Sequence, residues 1–269
     1  MDIESAPHVA EASENRPADV SPARPRRFGA VKALLTFLGV IVVQLLVGFG
    51  FGIAATLFAV ARGANLGHPE EVKRLTTQIT VPLLLISPFI ALFATLFFTR
   101  IWAWDLARDP SPSGLGLVAV SKRRLVVSAA IGMATALAYL AFARFVTPPR
   151  PGTQLGPAAA AAASGLFARA VWTFLAICLA PPIEEFLFRG LLLKGFVTSW
   201  GTAGGAISVT FLFVISHLAE TFHYLPALLG ISALAIGAVI CRIKTVSILP
   251  AIALHCGYNL VLVAALPYL

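Results

Sequence analysis

The chain has 269 residues, 58% hydrophobic and only 12% charged, with a net charge of +8 and a mean hydropathy of +0.88. A soluble domain of this size carries about a quarter charged residues, whereas here only Glu184, Glu185 and Glu220 follow Asp109 among the acids. That excludes a water-soluble globule and predicts an all-α fold, a polytopic membrane bundle of seven to eight transmembrane helices.

Residues 1–27 are polar, proline-rich and mixed in charge, with no apolar h-region. They read as a disordered tail rather than a signal peptide, so the first membrane helix is expected to act as its own insertion signal. Uncharged runs then mark the spans, since crossing a bilayer takes about twenty apolar residues. Ala33 to Ala61 is a run of 29, Leu75 to Thr99 one of 25 with Pro82 and Pro88, and Leu125 to Ala143 one of 19. A longer segment, 166–197, is interrupted by Pro181-Pro182, which predicts either one kinked helix or two elements. Segments 204–220, 225–241 and 246–266 complete the set, and the alanine tract 158–163 extends the fourth helix or forms a short surface helix. No internal repeat is visible. The division is a tail at 1–27, N-terminal transmembrane helices at 28–164 and a core at 165–266.

Lys and Arg lie between apolar runs, not in a patch interleaved with aromatics. This excludes a nucleic-acid surface and reads as juxtamembrane anchoring to anionic lipid. Placing the N-terminus in the cytoplasm puts fourteen of the twenty Lys and Arg inside, Arg242 and Lys244 among them. Cys178, Cys241 and Cys256 sit within apolar runs without CxxC spacing, so they read as small apolar residues.

Ionisable groups inside spans are costly and mark function by default. Four places qualify: Glu184-Glu185 with Arg189, His217, Glu220, and His255 with Asn259. Counted from the expected cytoplasmic turns, Glu184, His217, His255 and Asn259 lie roughly 21, 18, 17 and 23 Å up their helices, all near mid-depth of a core about 30 Å thick. Glu185 and Arg189 are four apart and can pair. Glu184 points about 100° away, and a desolvated carboxylate beside a like charge is a setting for a general base. His255 and Asn259, also four apart, share a face as donors to an oxyanion. Phe213, four before His217, packs beside the same cavity.

Taken singly, these residues have plainer readings. The acidic pair and Arg189 could be a structural ion cluster. His217 could be a core imidazole bonded to a backbone carbonyl, and Asn259 could join two helices. Glu220 either orients His217 from the second rank or lies solvated beside His223. His68, among loop charges, reads as surface, and His8 belongs to the tail.

Together, Glu184-Glu185-Phe186-Leu187-Phe188-Arg189 resembles the EExxxR motif of the CPBP family, the CAAX-protease and bacteriocin-processing intramembrane proteases related to Rce1. Phe213 to His217 matches its FxxxH and His255 to Asn259 its HxxxN, in order and on separate spans. The resemblance covers roughly 165–266 and implies an endopeptidase whose site lies in the membrane. In that scheme Glu184 activates water with His217, His255 and Asn259 hold the oxyanion, and Glu185 and Arg189 support them. Two carboxylates and two histidines could instead hold zinc, with Glu184, His217 and His255 as ligands. The absence of HExxH favours the glutamate-base form, which requires no cofactor.

The expected partners are a membrane-protein or lipid-anchored peptide substrate and the bilayer. The alanine-rich, cysteine-poor composition has a bacterial, inner-membrane character, which argues against prenylated substrates. The competing readings are a proton- or cation-coupled transporter using the same groups and a non-catalytic immunity or scaffold protein. Lack of a repeat or of two matching broken helices weighs against transport.

Overall fold

A computed structural model of the chain describes residues 28–65, 67–111, 113–146, 165–221 and 224–265, and only the backbone of 69–85, 146, 219 and 220. The tail 1–27, the alanine tract, His8, His223 and the Glu220 side chain lie outside the described residues. Every regular element among the described residues is helical. In order they are α1 (Ala30–Ala61), α2 (Pro69–Trp102), α3 (Trp104–Arg108), α4 (Lys122–Val146), α5 (Leu166–Phe174), α6 (Ala180–Glu185), α7 (Leu193–Ser216), α8 (Leu218–Thr221), α9 (Ala227–Thr245) and α10 (Leu249–Ala265). Among the described residues four helices are long and apolar enough to cross a bilayer: α1, Lys122–Phe145, Leu166–Ser216 and α9. Ile86–Trp102 and Leu249–Ala265 are shorter apolar helices.

The Pro181-Pro182 pair does not split its helix. α5, α6 and α7 form one rod, joined by two wide turns of π geometry, π1 (Leu175–Leu179) and π2 (Phe186–Leu192). The prolines occupy the first turn of α6, where a missing N–H and a bulky ring are tolerated once the preceding turn has widened. The rod bends further on, at Gly201 (φ 71°, ψ 177°), in a region of backbone space open essentially to glycine alone. The turn expected between 198 and 205 is thus a one-residue corner.

Two contacts set the bundle. Ala30 N–H donates to Ser199 Oγ at 2.9 Å, and the Phe37 ring meets Phe188 at 6.0 Å, so α1 runs antiparallel to the rod. α4 and α10 touch backbone to backbone, since a Cβ on Gly257 would lie 2.2 Å from the Ala129 carbonyl oxygen. Lipid offers helices no hydrophobic drive to associate, so such small-residue approaches supply packing instead.

Between α3 and α4 the chain forms a hook. Leu115, fully buried, lies beside Gly190, and Ile248 N–H donates to the Gly116 carbonyl at 2.9 Å. The hook is held by Asp109, which accepts from Ser111 N–H at 2.8 Å and Ser113 Oγ at 2.7 Å. The side chains of Ser111 and Ser113, and after them the Ser111 N–H, hold the Asp109 carboxyl below the usual aspartate range.

Candidate active site

Glu184 and Glu185 end α6 and take different environments. Glu185 is fully buried, and its Oε1 accepts from Arg189 Nη1 at 3.1 Å and from His255 Nδ1 at 2.9 Å. Arg189, also fully buried, sends Nη2 to the Ala235 carbonyl of α9 at 3.0 Å, and its guanidinium lies 4.3 Å over the Phe213 ring. Two hydrogen bonds and an aromatic face replace part of the water this cation has lost, and its Nε has no partner among the described residues. Glu184 instead lies on the wall of a cavity of about 470 Å³. Its Oε2 has no hydrogen-bond partner among the described residues and stands 3.7 Å from His217 Nε2.

His217 does not sit within a helix, as its uncharged surroundings predict. α7 stops at Ser216, and His217 caps it with φ −96° and ψ 0°. The closing turn is tight, with His217 N–H on the Val214 carbonyl at 3.2 Å. The Phe213 carbonyl is thereby left to side chains, and it accepts from Ser216 Oγ at 2.8 Å and from the His217 ring, whose Nδ1 lies 2.8 Å away. A carbonyl can only accept, so Nδ1 carries a proton, and the ring turns Nε2 toward Glu184. Phe213, fully buried, thus acts twice: by its carbonyl, and by a ring set between His217 at 4.6 Å and His255 at 5.9 Å.

His255 is almost fully buried, and its Nδ1–H on Glu185 leaves Nε2 for the cavity that the ring lines. Asn259 gives Nδ2 to the Ala176 carbonyl at 2.8 Å. In π1 the Ala180 N–H bonds Leu175, and the next two residues are prolines with no N–H to offer. The Ala176 carbonyl therefore needs an outside donor, and Asn259 supplies one of its two amide hydrogens.

π2 repeats this arrangement. Leu193 N–H bonds Phe188, and the Arg189 carbonyl receives Arg242 Nε at 3.2 Å. Arg242 is a correction to its expected role as an interfacial anchor. It is 8% exposed and braces the turn bearing Arg189 by donating to its carbonyl.

The structure therefore brings Glu184, Phe213, His217, His255 and Asn259 to one cavity, with Glu185 and Arg189 fully buried behind it. Among the described residues no group of three or more His, Cys, Asp or Glu gathers as a metal-holding set. Glu185, not Glu184, is the carboxylate on His255. Sequence reasoning passed over the Ala176, Phe213 and Ala235 carbonyls, for which no sequence signal exists beyond the prolines. It also passed over Gln44, a lone amide in an apolar helix, whose signal was present.

Residues 164–261 match the family model described as Type II CAAX prenyl endopeptidase Rce1-like. The match is consistent with the CPBP resemblance of the three motifs and encloses all seven residues. The match spans less than half of the chain, and the apolar helices among the described residues suit a multi-pass membrane protein. No curated protein and no solved structure matches the chain.

Proposed function

We propose that the chain is an intramembrane endopeptidase in which Glu184 is the general base. The observation that carries this reading is the facing pair on the cavity wall: Glu184 Oε2, without a partner, and His217 Nε2, 3.7 Å away. Both are acceptors when Glu184 is ionised and His217 neutral. A water donating one hydrogen to each is held with its lone pairs free, the posture of a nucleophile.

Attack on the scissile carbonyl sends the water proton to Glu184 and places negative charge on the carbonyl oxygen. His255 Nε2–H and the second Nδ2–H of Asn259 hold that oxyanion. His255 donates there as an imidazolium, because its Nδ1–H already serves Glu185. Charge is then balanced: Arg189 and His255 offset Glu184 and Glu185. Collapse of the intermediate breaks the C–N bond, and the proton held by Glu184 passes to the leaving amine. Glu185, Arg189 and Arg242 touch no reacting atom and act by position.

The substrate in this reading is a membrane protein or lipid-anchored peptide, and no metal enters the chemistry. A transporter would string its polar groups along a path, whereas these converge on one wall. We read the bend at Gly201 and the shorter apolar helices as completing seven crossings, with the N-terminus in the cytoplasm of a cell whose inner membrane holds the protein. The catalytic core is 165–266, with 28–164 as flanking helices and 1–27 as a tail.

The test uses purified protein in lipid nanodiscs and a library of internally quenched peptides, anchored by a lipidated cysteine or an apolar helix. Wild-type protein is expected to cleave members of the library, and Glu184→Gln to lose about 10²- to 10⁴-fold in rate at an unchanged melting temperature. No cleavage by wild type, or an undiminished rate in Glu184→Gln, overturns the reading.

A further inference from the structure

The cavity has a second wall, built by α1 and α2 outside the family match. On α1, Phe37, Val40 and Gln44 line it, spaced as residues of one helical face. Phe37 and Val40 are packed at 7% and 2% exposure. Gln44 is the polar exception and is half-buried. Its amide makes no hydrogen bond with any described residue. Glutamine in a membrane helix commonly joins it to a neighbour; here no described residue takes up the amide, which leaves it to the cavity it lines.

Its height is informative. The Ala30–Ser199 hydrogen bond is a common origin for two antiparallel helices. Gln44 lies fourteen residues up α1 and Glu184 fifteen residues up the rod, roughly 21 and 22 Å at 1.5 Å per residue. The unused amide and the unpartnered carboxylate therefore line one cavity at one level.

We propose that Gln44 is a substrate-positioning residue that binds the peptide backbone beside the bond to be cut. A peptide must be unwound for its carbonyl to be attacked, and an unwound peptide in lipid carries backbone groups that need partners. A primary amide offers one donor and one acceptor in a plane, which match the C=O and N–H of an extended strand. Phe37 and Val40 give the neighbouring side chain an apolar seat. The inference rests on the peptide substrate proposed above but not on turnover.

The probe is a twenty-residue apolar helix-forming peptide with a diazirine residue placed at each position in turn. It is photolysed with the Glu184→Gln protein in nanodiscs, and adducts are mapped by mass spectrometry. Adducts are expected on the 37–44 face of α1, falling about tenfold when Gln44→Leu is added, the change expected for one lost pair of backbone hydrogen bonds. Otherwise wild-type protein carrying Gln44→Leu should raise KM about tenfold with kcat nearly kept, the mark of lost positioning in ground and transition states alike. Leucine suits an apolar helix, and melting checks the fold. Labelling confined to lipid-facing Leu45 and Phe49, or unchanged labelling in Gln44→Leu, overturns the proposal. Gln44-dependent labelling without wild-type turnover keeps the subsite and sinks hydrolysis. Turnover with unchanged KM and labelling does the reverse.

Discussion

The first two long helices and the helices of 165–265 solve opposite problems. α1 turns Leu45, Leu46 and Phe49 outward at 66%, 65% and 71% exposure, where lipid receives them at no cost. Residues 165–265 bury Glu185 and Arg189 completely and must find each a partner within the bundle. The first region is specified by composition, and almost any apolar sequence would serve its outer face. The second is specified by pairing, and its side chains cannot be exchanged singly. The cavity lies where the two meet, with charge on one wall and an apolar face bearing one amide on the other.

The contrast is broken most directly at Arg189. Arg189→Met leaves Glu185 buried with His255 alone and should cost about 3–5 kcal/mol, read as thermal unfolding in detergent. Glu185→Gln should lose stability and activity together, whereas Glu184→Gln loses activity alone. The double variant Glu185→Gln/Arg189→Met should recover part of the single losses, since two absent charges are cheaper than one unpaired charge. Leu45→Ala, on the lipid face, should stay within about 0.5 kcal/mol of the parent. Additive losses at 185 and 189, or equal, stability-only losses at 184 and 185, would sink the division of roles.

A smaller effect separates the regions at glycine. Gly257→Ala drives a methyl into the Ala129 carbonyl, 2.2 Å from the ideal Cβ, and should cost about 1–3 kcal/mol. Gly48→Ala on α1, with nothing within 4 Å, should instead be neutral or stabilising by up to about 1 kcal/mol through helix propensity. Equal melting temperatures for the two would mean that the α4–α10 contact is not tight.

The smallest effect belongs to the hook. Because the folded Asp109 carboxyl titrates below its ordinary value, its contribution is complete above about pH 3.9 and fades as pH falls through the lower folded value. Amide exchange of Ser111 and the neighbouring hook should quicken only in that acid range. Asp109→Asn should remove the pH dependence, and an unchanged profile in that variant would assign it elsewhere.

Much of the fold is legible because the bilayer is a simple solvent. The charge-free runs ending at Ala61, Thr99 and Ala143 lie within α1, α2 and α4, since a helix that must satisfy its own backbone in lipid continues until charge or glycine stops it. The prolines left one kinked helix or two elements open for a local reason: a widened turn before them absorbs what an isolated helix could not. His217 was readable as an oddity but not as a helix end, because Ser216-His217-Leu218 contains no breaker and the break comes from the ring's bond to Phe213.

The sequence by itself determined that the chain is helical, apolar and membrane-embedded, and which few ionisable residues demand an explanation. Composition and spacing along a helix suffice for that, since both act within one segment. Tertiary structure alone decided that Glu185 serves Arg189 and His255 while Glu184 faces His217, that Asn259 and Arg242 each hold a carbonyl left by a π turn, and that Gln44 stands level with Glu184. Those outcomes depend on which helix lies opposite which, and a hydrogen bond spanning 83 residues, as from Asn259 to Ala176, leaves no trace in the local pattern of either end.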